Sequence, residues 1–421
     1  MQKIKLGIFG LGRGRSFFPA ILHEGVEVVA VCETIDRRIE MAKKEYKDAG
    51  GANEFAVYKN FDEFINHDLD AVLLCNFFNE HTKYAIKCLE KDIHVLCECQ
   101  SNATMADGVK LVRAQEKSNA KFMLLENYPF MLFNLEMKKV VDGGTLGKIV
   151  YAEGEYNHPG KGFNENSILG GYCSGDKHWR KYLPKTYYLT HSLAPLMYIT
   201  GTRPKRVTAL PIFEPRDFVH SYVGEIASVM TTINENDSVF RFFGHSSFGY
   251  EENSYRFCGL NGQVENVRGD ESKIMLAYNE WNKPENKEKV NFYKAEWSEE
   301  DKPIASIMGH AGGDYFVIKK FANVIRGLEE NPFDVYFSTT LASVAILAHR
   351  SQMENGKPYD IPNFRLEEDR AKWENDNLTP FWNGDNPPTY PCTTRESYTP
   401  SEKATKWFNE TWNKFYGNKK A

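Results

Sequence analysis

The short run Gly10-Leu11-Gly12 constrains this chain more than any other feature. It closes an apolar strand over residues 3–9 and precedes a helix-compatible stretch over residues 16–23. Glycines at such a junction allow a tight turn and let backbone N–H groups approach a pyrophosphate. The following helix start favours the negative charge. Alone the pair is a weak signal; its place at the opening of a βαβ unit supplies the context. The third glycine of a G-x-G-x-x-G turn would fall on Arg15, while Gly14 stands one residue early. Arg15 can either crowd the turn or pair with a phosphate. A second strand over 26–32 runs into Glu33, about 20 residues beyond the turn, where a carboxylate accepts hydrogen bonds from ribose hydroxyls and repels a 2′-phosphate. That predicts NAD(H) over NADP(H), although Arg37 and Arg38 nearby keep NADP(H) open.

The pattern that follows has helices over 36–47, 82–90 and 105–117 alternating with strands over 71–75, 93–97 and 121–125. Such alternation predicts a parallel, doubly wound Rossmann sheet, here over residues 1–126. After Asn127 the alternation is lost. A helix over 132–141 is followed by strands over 149–156, 207–213, 226–233, 239–246, 255–258 and 264–267, then helices over 315–326 and 339–354. This predicts an α+β domain over 127–366, with a mainly antiparallel open sheet and its last two helices near the Rossmann half. Residues 160–177 read as a long Gly/Ser-rich loop of the kind that often binds ligands. Residues 367–421 form a polar, proline-dotted tail with Trp373, Trp382, Trp407 and Trp412, either wrapped on the body or used at a subunit contact.

Composition adds exclusions. A length of 421 residues suits two domains, and a net charge of −5 gives no reason to expect nucleic acid or a membrane surface. Arginines and glycines interrupt the first apolar stretch too soon for a signal peptide, and no 18-residue apolar run exists, so a cytoplasmic protein is expected. The eight scattered cysteines read as reduced core thiols rather than disulfides or structural zinc.

With these motifs in view, residues 3–364 resemble the Gfo/Idh/MocA oxidoreductases. The resemblance rests on Gly10-Leu-Gly12, Glu33, Asn79-Glu-His81 and His94-Val-Leu-Cys-Glu98. It implies a cofactor set of Gly10, Gly12, Gly14, Arg15, Glu33, Asn76, Asn79, His81 and Glu98, holding NAD. In the family, the segment after Glu98 usually reads Glu-Lys-Pro, with an active-site lysine; here it reads Glu98-Cys99-Gln100. Further motifs resemble the NAD-dependent glycoside hydrolase family 109 branch, which also lacks that lysine. They are Leu125-Glu126-Asn127, the 152–158 segment ending Tyr156-Asn-His158, Tyr188-Leu-Thr-His191 and Gly309-His310-Ala-Gly-Gly-Asp314. Leu189 stands where that branch has proline. The match implies catalytic roles for Glu126, Tyr156, His158, Tyr188 and His191, on a sugar or glycoside.

Read on their own, Tyr156 and His158 are two apart on a strand and share a face, and Tyr188 and His191 are three apart at a helix start. Such groups move protons near neutral pH when their environments tune them. A metal held by His158, His191 and Glu126 or His178 lacks any recognised ligand spacing, so no metal is expected. Cys99 and Cys173 have no evident base beside them to make nucleophiles. Three functions stay open. They are a redox-assisted glycosidase or lyase working through a transient 3-keto sugar, a net sugar or cyclitol dehydrogenase, and an inactive nucleotide-binding protein. By analogy with the fold, a homodimer or homotetramer is expected.

Overall fold

The computed structural model describes residues 3–52, 54–159, 177–215, 221–396 and 398–416. Six parallel strands form the first sheet: β1 (Ile4–Phe9), β2 (Val26–Cys32), β3 (Ala56–Tyr58), β4 (Ala71–Leu74), β5 (His94–Glu98) and β6 (Phe122–Leu125), in the order β3-β2-β1-β4-β5-β6. β4 and β6 are buried at every residue, as strands covered on both faces must be. Between them the chain is helical where one face is apolar. In Asp36–Asp48, Ile39, Ala42 and Tyr46 recur at helical spacing and are the buried positions. Helix Met105–Lys117 starts on Thr104, whose side chain accepts from Asp107 N at 3.0 Å. The strand order reverses between β1 and β4, and open α/β sheets bind ligands at the carboxyl ends beside such a reversal.

The second sheet has nine strands: β7 (Ile149–Asn157), β8 (Pro204–Phe213), β9 (Glu225–Asn234), β10 (Val239–Phe243), β11 (Glu252–Gly259), β12 (Gly262–Val267), β13 (Asp270–Tyr278), β14 (Val290–Lys294) and β15 (Tyr359–Asp360). Among the described residues only the β7–β10 pairing of this sheet is parallel. The fold is therefore the expected combination of a parallel Rossmann sheet and a mainly antiparallel open sheet. Helix Thr190–Thr200 packs on β7 at very short range. A Cβ on Gly154 would lie 2.1 Å from the Ser192 carbonyl oxygen, so glycine is required there.

Helices Gly313–Ile325 and Val335–Met353 lie against the first sheet's layer. Arg326 donates to the Glu24 carbonyl at 2.6 Å, and Tyr336 to Glu116 at 2.8 Å. The tail follows the body over its first part. Arg350 holds Asp376 through two 2.6 Å bonds, and Phe381 packs edge-on against Phe78 and Tyr187. Later it forms helix Glu402–Tyr416. Strands β3, β13, β14 and β15, the short helices Phe61–Phe64, Lys302–Ala305 and Glu367–Ala371 and the tail helix were not foreseen, and the strand starting at Val239 ends at Phe243 rather than Ser246. Among the described residues no helix is long and apolar enough to cross a membrane.

Candidate active site

A cavity of about 620 Å³ opens at the carboxyl ends of β1, β2, β4 and β5. Gly10, Gly12, Glu33, Asn76, His81 and Glu98 all line it. Gly10 has φ +92°, and a Cβ there would sit 2.4 Å from the Cys75 carbonyl oxygen, so the turn demands glycine. A Cβ on Gly12 would meet only the Arg38 guanidinium, at 3.7 Å or more. Gly12 is thus small toward open space, as close approach of a ligand to the backbone requires. Glu33 is buried and accepts from Leu11 N at 3.0 Å, Thr34 N at 2.8 Å and Ile35 N at 3.0 Å. Asn76 Oδ1 and Gln100 Oε1 are buried without a hydrogen-bond partner among the described residues, and both residues line the cavity. Buried polar atoms left this way call for a ligand. The cradle therefore fits a dinucleotide.

His81 lies between two carbonyls, with Nδ1 2.8 Å from Gln100 O and Nε2 3.3 Å from Asn76 O. Burial pushes its imidazole down to about 4 against these bonds, so it is neutral at physiological pH. With one N–H, the neutral ring donates to one of the two carbonyls, the nearer being that of Gln100 just beyond β5. Three of the expected cofactor residues are not brought to the cavity. A Cβ on Gly14 would lie 2.5 Å from Ile8 Cγ2, so Gly14 serves close packing of the turn on β1. Arg15 ion-pairs with Glu45 on helix Asp36–Asp48 and does not line the cavity. Asn79 donates to the Trp382 carbonyl at 3.0 Å and so secures the tail. The arginines on the cavity wall are Arg13, Arg38 and Arg180. Arg13 is the one tied to acidic residues at the β5 end and beyond. It contacts Asp314 at 2.6 Å and Glu98 at 3.5 Å. Burial opposes its charge, but Asp314 and Glu98 outweigh burial and keep the guanidinium protonated.

At the end of β6, Glu126 is fully buried, and its Oε1 lies 2.9 Å from His191 Nδ1. Tyr128 N donates to the same oxygen at 3.2 Å, and the Cys99 thiol to Oε2 at 3.0 Å. Burial would raise the Glu126 carboxyl; His191 and these donors outweigh it and hold it below its ordinary value. Cys99 occupies the position of the family lysine. Burial pushes its thiol well up, followed by Glu126 and Glu98, so it is a neutral donor and not a nucleophile. Cys173 and residues 160–176 of the expected binding loop lie outside the described residues.

Around His191 the rings converge. Tyr128 stacks on it at 3.9 Å, and Tyr156 and Tyr188 meet it edge-on at 5.0 and 5.5 Å. Tyr156 and Tyr188 are nearly parallel at 5.9 Å. His158 stacks beyond Tyr156 at 5.7 Å and lies 3.0 Å from Glu251, at the outer side of the cluster. The five residues expected to be catalytic therefore form one group, built where Gly154 lets the His191 helix close on β7. Tyr188 and His191 also line the cavity.

Other residues of the group were given no role from sequence, although His310 and Asp314 stand in a quoted motif. Tyr128 follows directly on the Glu126-Asn127 motif. His310, on the cavity wall, contacts both oxygens of Asp314 at 3.1 Å. Asp314 also accepts from Asn127 at 2.6 Å. Burial would raise the Asp314 carboxyl, but His310 and Arg13 hold it well below the usual range. The signal for this trio was the Gly309–Asp314 motif itself, together with an arginine between two turn glycines.

Comparison with known proteins agrees with this geometry. Residues 4–125 match the oxidoreductase family with an NAD-binding Rossmann fold, and residues 223–375 match the glycosyl hydrolase 109 C-terminal domain. A glycosyl hydrolase family 109 protein of Saccharopolyspora erythraea is 26% identical over 407 residues, covering 89% of this chain and 85% of the relative. Among solved structures, levoglucosan dehydrogenase in complex with NADH and L-sorbose superposes with a TM-score of 0.69 at 15% identity, covering 86% of this chain and all of that one. An oxidoreductase from Agrobacterium radiobacter in complex with NAD+, L-tartaric acid and magnesium gives 0.68 at 13% identity, covering 85% and 98%. The last two likenesses concern the fold.

Proposed function

From a chain that joins an oxidoreductase-family NAD-binding Rossmann domain to a glycosyl hydrolase 109 C-terminal domain, we propose an NAD-dependent glycosidase or lyase that acts through a transient 3-keto sugar. The observation that carries this reading is the buried Glu126–His191 pair, with the Tyr128, Tyr156 and Tyr188 rings around it and a neutral thiol where the family has lysine. Bound NAD would supply reversible hydride removal from the sugar, and the ketone so formed would acidify the neighbouring C2–H and remove the need for a flanking carboxylate pair.

The side chains supply the proton transfers. Glu126 accepts the Nδ1 proton of His191, which leaves Nε2 with a lone pair as the base. The remaining donors to Glu126, Tyr128 N and Cys99 Sγ, keep that carboxylate ionised and fixed. Tyr156 and Tyr188 hold or pass protons at their hydroxyl oxygens next to the ring, and His158, paired with Glu251, faces the outer side where a leaving group departs. Gly10, Gly12, Glu33, Asn76 and Glu98, with Arg13, hold the dinucleotide, and Glu33 selects NAD(H) over NADP(H). The same reading has a cytoplasmic homodimer or homotetramer, which light scattering on the purified protein tests.

The decisive experiment follows 4-nitrophenyl release from a panel of α- and β-glycosides, with and without NAD⁺, while recording absorbance at the NADH band. Many turnovers per cofactor without net NADH support the proposal. NADH accumulating in step with product identifies a net dehydrogenase instead. Tight NAD binding with no turnover on any glycoside points to a nucleotide-binding protein without this activity.

A further inference from the structure

One histidine in the ring cluster has no role in the scheme above. His245 lies two residues past the end of β10. Its ring centroid is 5.3 Å from Tyr188, 5.6 Å from Tyr156 and 5.8 Å from His158. Its backbone is fixed as well. His245 N donates to the Tyr188 carbonyl at 3.0 Å, and the preceding Gly244 leaves no space for a side chain, since a Cβ there would lie 2.0 Å from the Lys185 carbonyl oxygen. The end of β10 and the 3-10 turn Lys185–Tyr188 are therefore pressed together at the site.

Lys185 Nζ lies 3.0 Å from His245 Nδ1 and 3.3 Å from Ser247 Oγ. An ammonium can only donate, so Nδ1 must be the acceptor and the imidazole proton sits on Nε2. We infer that His245 is a further member of the active site, presenting Nε2–H to an oxygen of the bound sugar, and that Lys185 is the positioning residue that fixes this tautomer. The inference rests on the proposed glycoside chemistry for its substrate, though not for the state of the pair.

The surroundings support an unusual pair. Among the described residues no carboxylate lies within ion-pair distance of Lys185. Glu225 faces it from β9, but its oxygens are taken up by Thr393 and Thr394 of the tail. Burial therefore brings the lysine down to about 8, with Glu225 acting weakly against it. Lys185, His158, Arg180 and His191 are the positive or potentially positive groups facing His245, and burial plus these neighbours hold its imidazole well below the ordinary value. His158 is itself paired with Glu251, and the other titratable groups packed against His245 are the Tyr156 and Tyr188 rings. His245 thus stays neutral across the working range, while the charge beside it is lost as pH rises through about 8.

Two measurements on the full chain with NAD⁺ bound test this. The first is ¹⁵N NMR of histidine-labelled protein, with His245 assigned by its loss in His245→Gln. We expect an Nε2–H tautomer that stays unprotonated where an ordinary imidazole takes up its proton, and a mixture of tautomers in Lys185→Met. An Nδ1–H tautomer, protonation near pH 6, or an unchanged spectrum in Lys185→Met overturns the inference. The second uses the 4-nitrophenyl glycoside cleaved best by the wild type. We expect kcat to fall with pH above about 8, Lys185→Met to lose that limb and about tenfold in kcat, and Lys185→Arg to keep most of the rate without the limb. His245→Gln should lose about 10²-fold in kcat with NAD affinity unchanged, within the range for one positioned proton donor. An unaltered pH profile in Lys185→Met, or full activity in His245→Gln, overturns it. Should the wild type cleave no glycoside, the proposed function fails, and the NMR result still decides the tautomer and its dependence on Lys185.

Discussion

At the scale of single residues, the three turn glycines do different work, and substitution separates them. Gly12 borders open space, so Gly12→Ala should leave the melting temperature within a degree or so while cutting NAD⁺ affinity at least tenfold, because the added methyl stands where the backbone must approach the pyrophosphate. Gly14 lies against Ile8, so Gly14→Ala should instead destabilise by roughly 1–3 kcal/mol, the usual cost of overpacking. Isothermal titration and thermal melts on both variants check this; equal effects on binding and stability would contradict the division. The catalytic reading makes its own residue-scale claim. Tyr156→Phe and His191→Ala should each reduce turnover by about 10²–10⁴-fold while NAD⁺ affinity is retained, since neither belongs to the set assigned to the dinucleotide, although His191 lines the same cavity. Full activity in both would remove them from the chemistry. Much of this was readable beforehand. Spacing put Tyr156 with His158 and Tyr188 with His191 on shared faces. What spacing could not supply was the partner across the fold: Cys99 on Glu126, Arg13 on Asp314, Lys185 on His245. These contacts join residues far apart in sequence, and no local period encodes them.

At the scale of elements, the parallel sheet was legible because its strands are buried on both faces and read as continuous apolar runs, with amphipathic helices between. The unforeseen strands lack that signature. β3 has three residues, none fully buried. β13 begins Asp270-Glu-Ser-Lys and buries only Ile274 and Tyr278, and β14 alternates half-buried and exposed residues at the sheet edge. β3 is held by its parallel register with β2, and β13 and β14 by antiparallel pairing with the strands before them, not by their own hydrophobicity. The tail was legible only as aromatic. In the structure it buttresses the site from behind: Phe381 packs on Phe78 and Tyr187, and Gln100 reaches the Tyr187 carbonyl on the cavity side. Phe381→Ala should therefore cost about 3–5 kcal/mol of stability, as for other buried phenylalanines, and loosen the wall that carries Gln100. Chemical denaturation and NAD⁺ titration on this variant measure both effects. A loss below about 1 kcal/mol would show that the tail is dispensable to the body.

At the scale of the whole molecule, the second sheet, the long helix Val335–Met353 and the tail are tied by one neutral histidine. His349 Nε2 lies 2.7 Å from the Pro391 carbonyl and must donate to it, so Nδ1 accepts from Gln352 Nε2 at 3.1 Å. Gln352 Oε1 in turn accepts from Ser228 on β9 at 2.7 Å. A proton on Nδ1 would face the Gln352 N–H group and break this chain. Burial accordingly pushes the imidazole down to about 4, only partly offset by the Pro391 bond. The sign of the consequence follows from linkage. The unfolded chain takes up this proton below about pH 6.5 and the folded one only near 4. Stability is therefore fully present above pH 6.5 and is lost as pH falls toward 4. The loss from this one group is about 2 kcal/mol at pH 5. His81, buried between two carbonyls and likewise held near 4, contributes in the same direction. In His349→Gln the side-chain amide can still donate to Pro391 without titrating. Its stability should lie within about 1 kcal/mol of wild type at pH 7.5, the typical net worth of one hydrogen bond. The gap should then shift in the variant's favour by about 2 kcal/mol at pH 5. Urea denaturation of both proteins at pH 7.5, 6.0 and 5.0 gives the two slopes. Parallel slopes would mean that His349 is protonated in the folded state and that the link between sheet, helix and tail is made some other way.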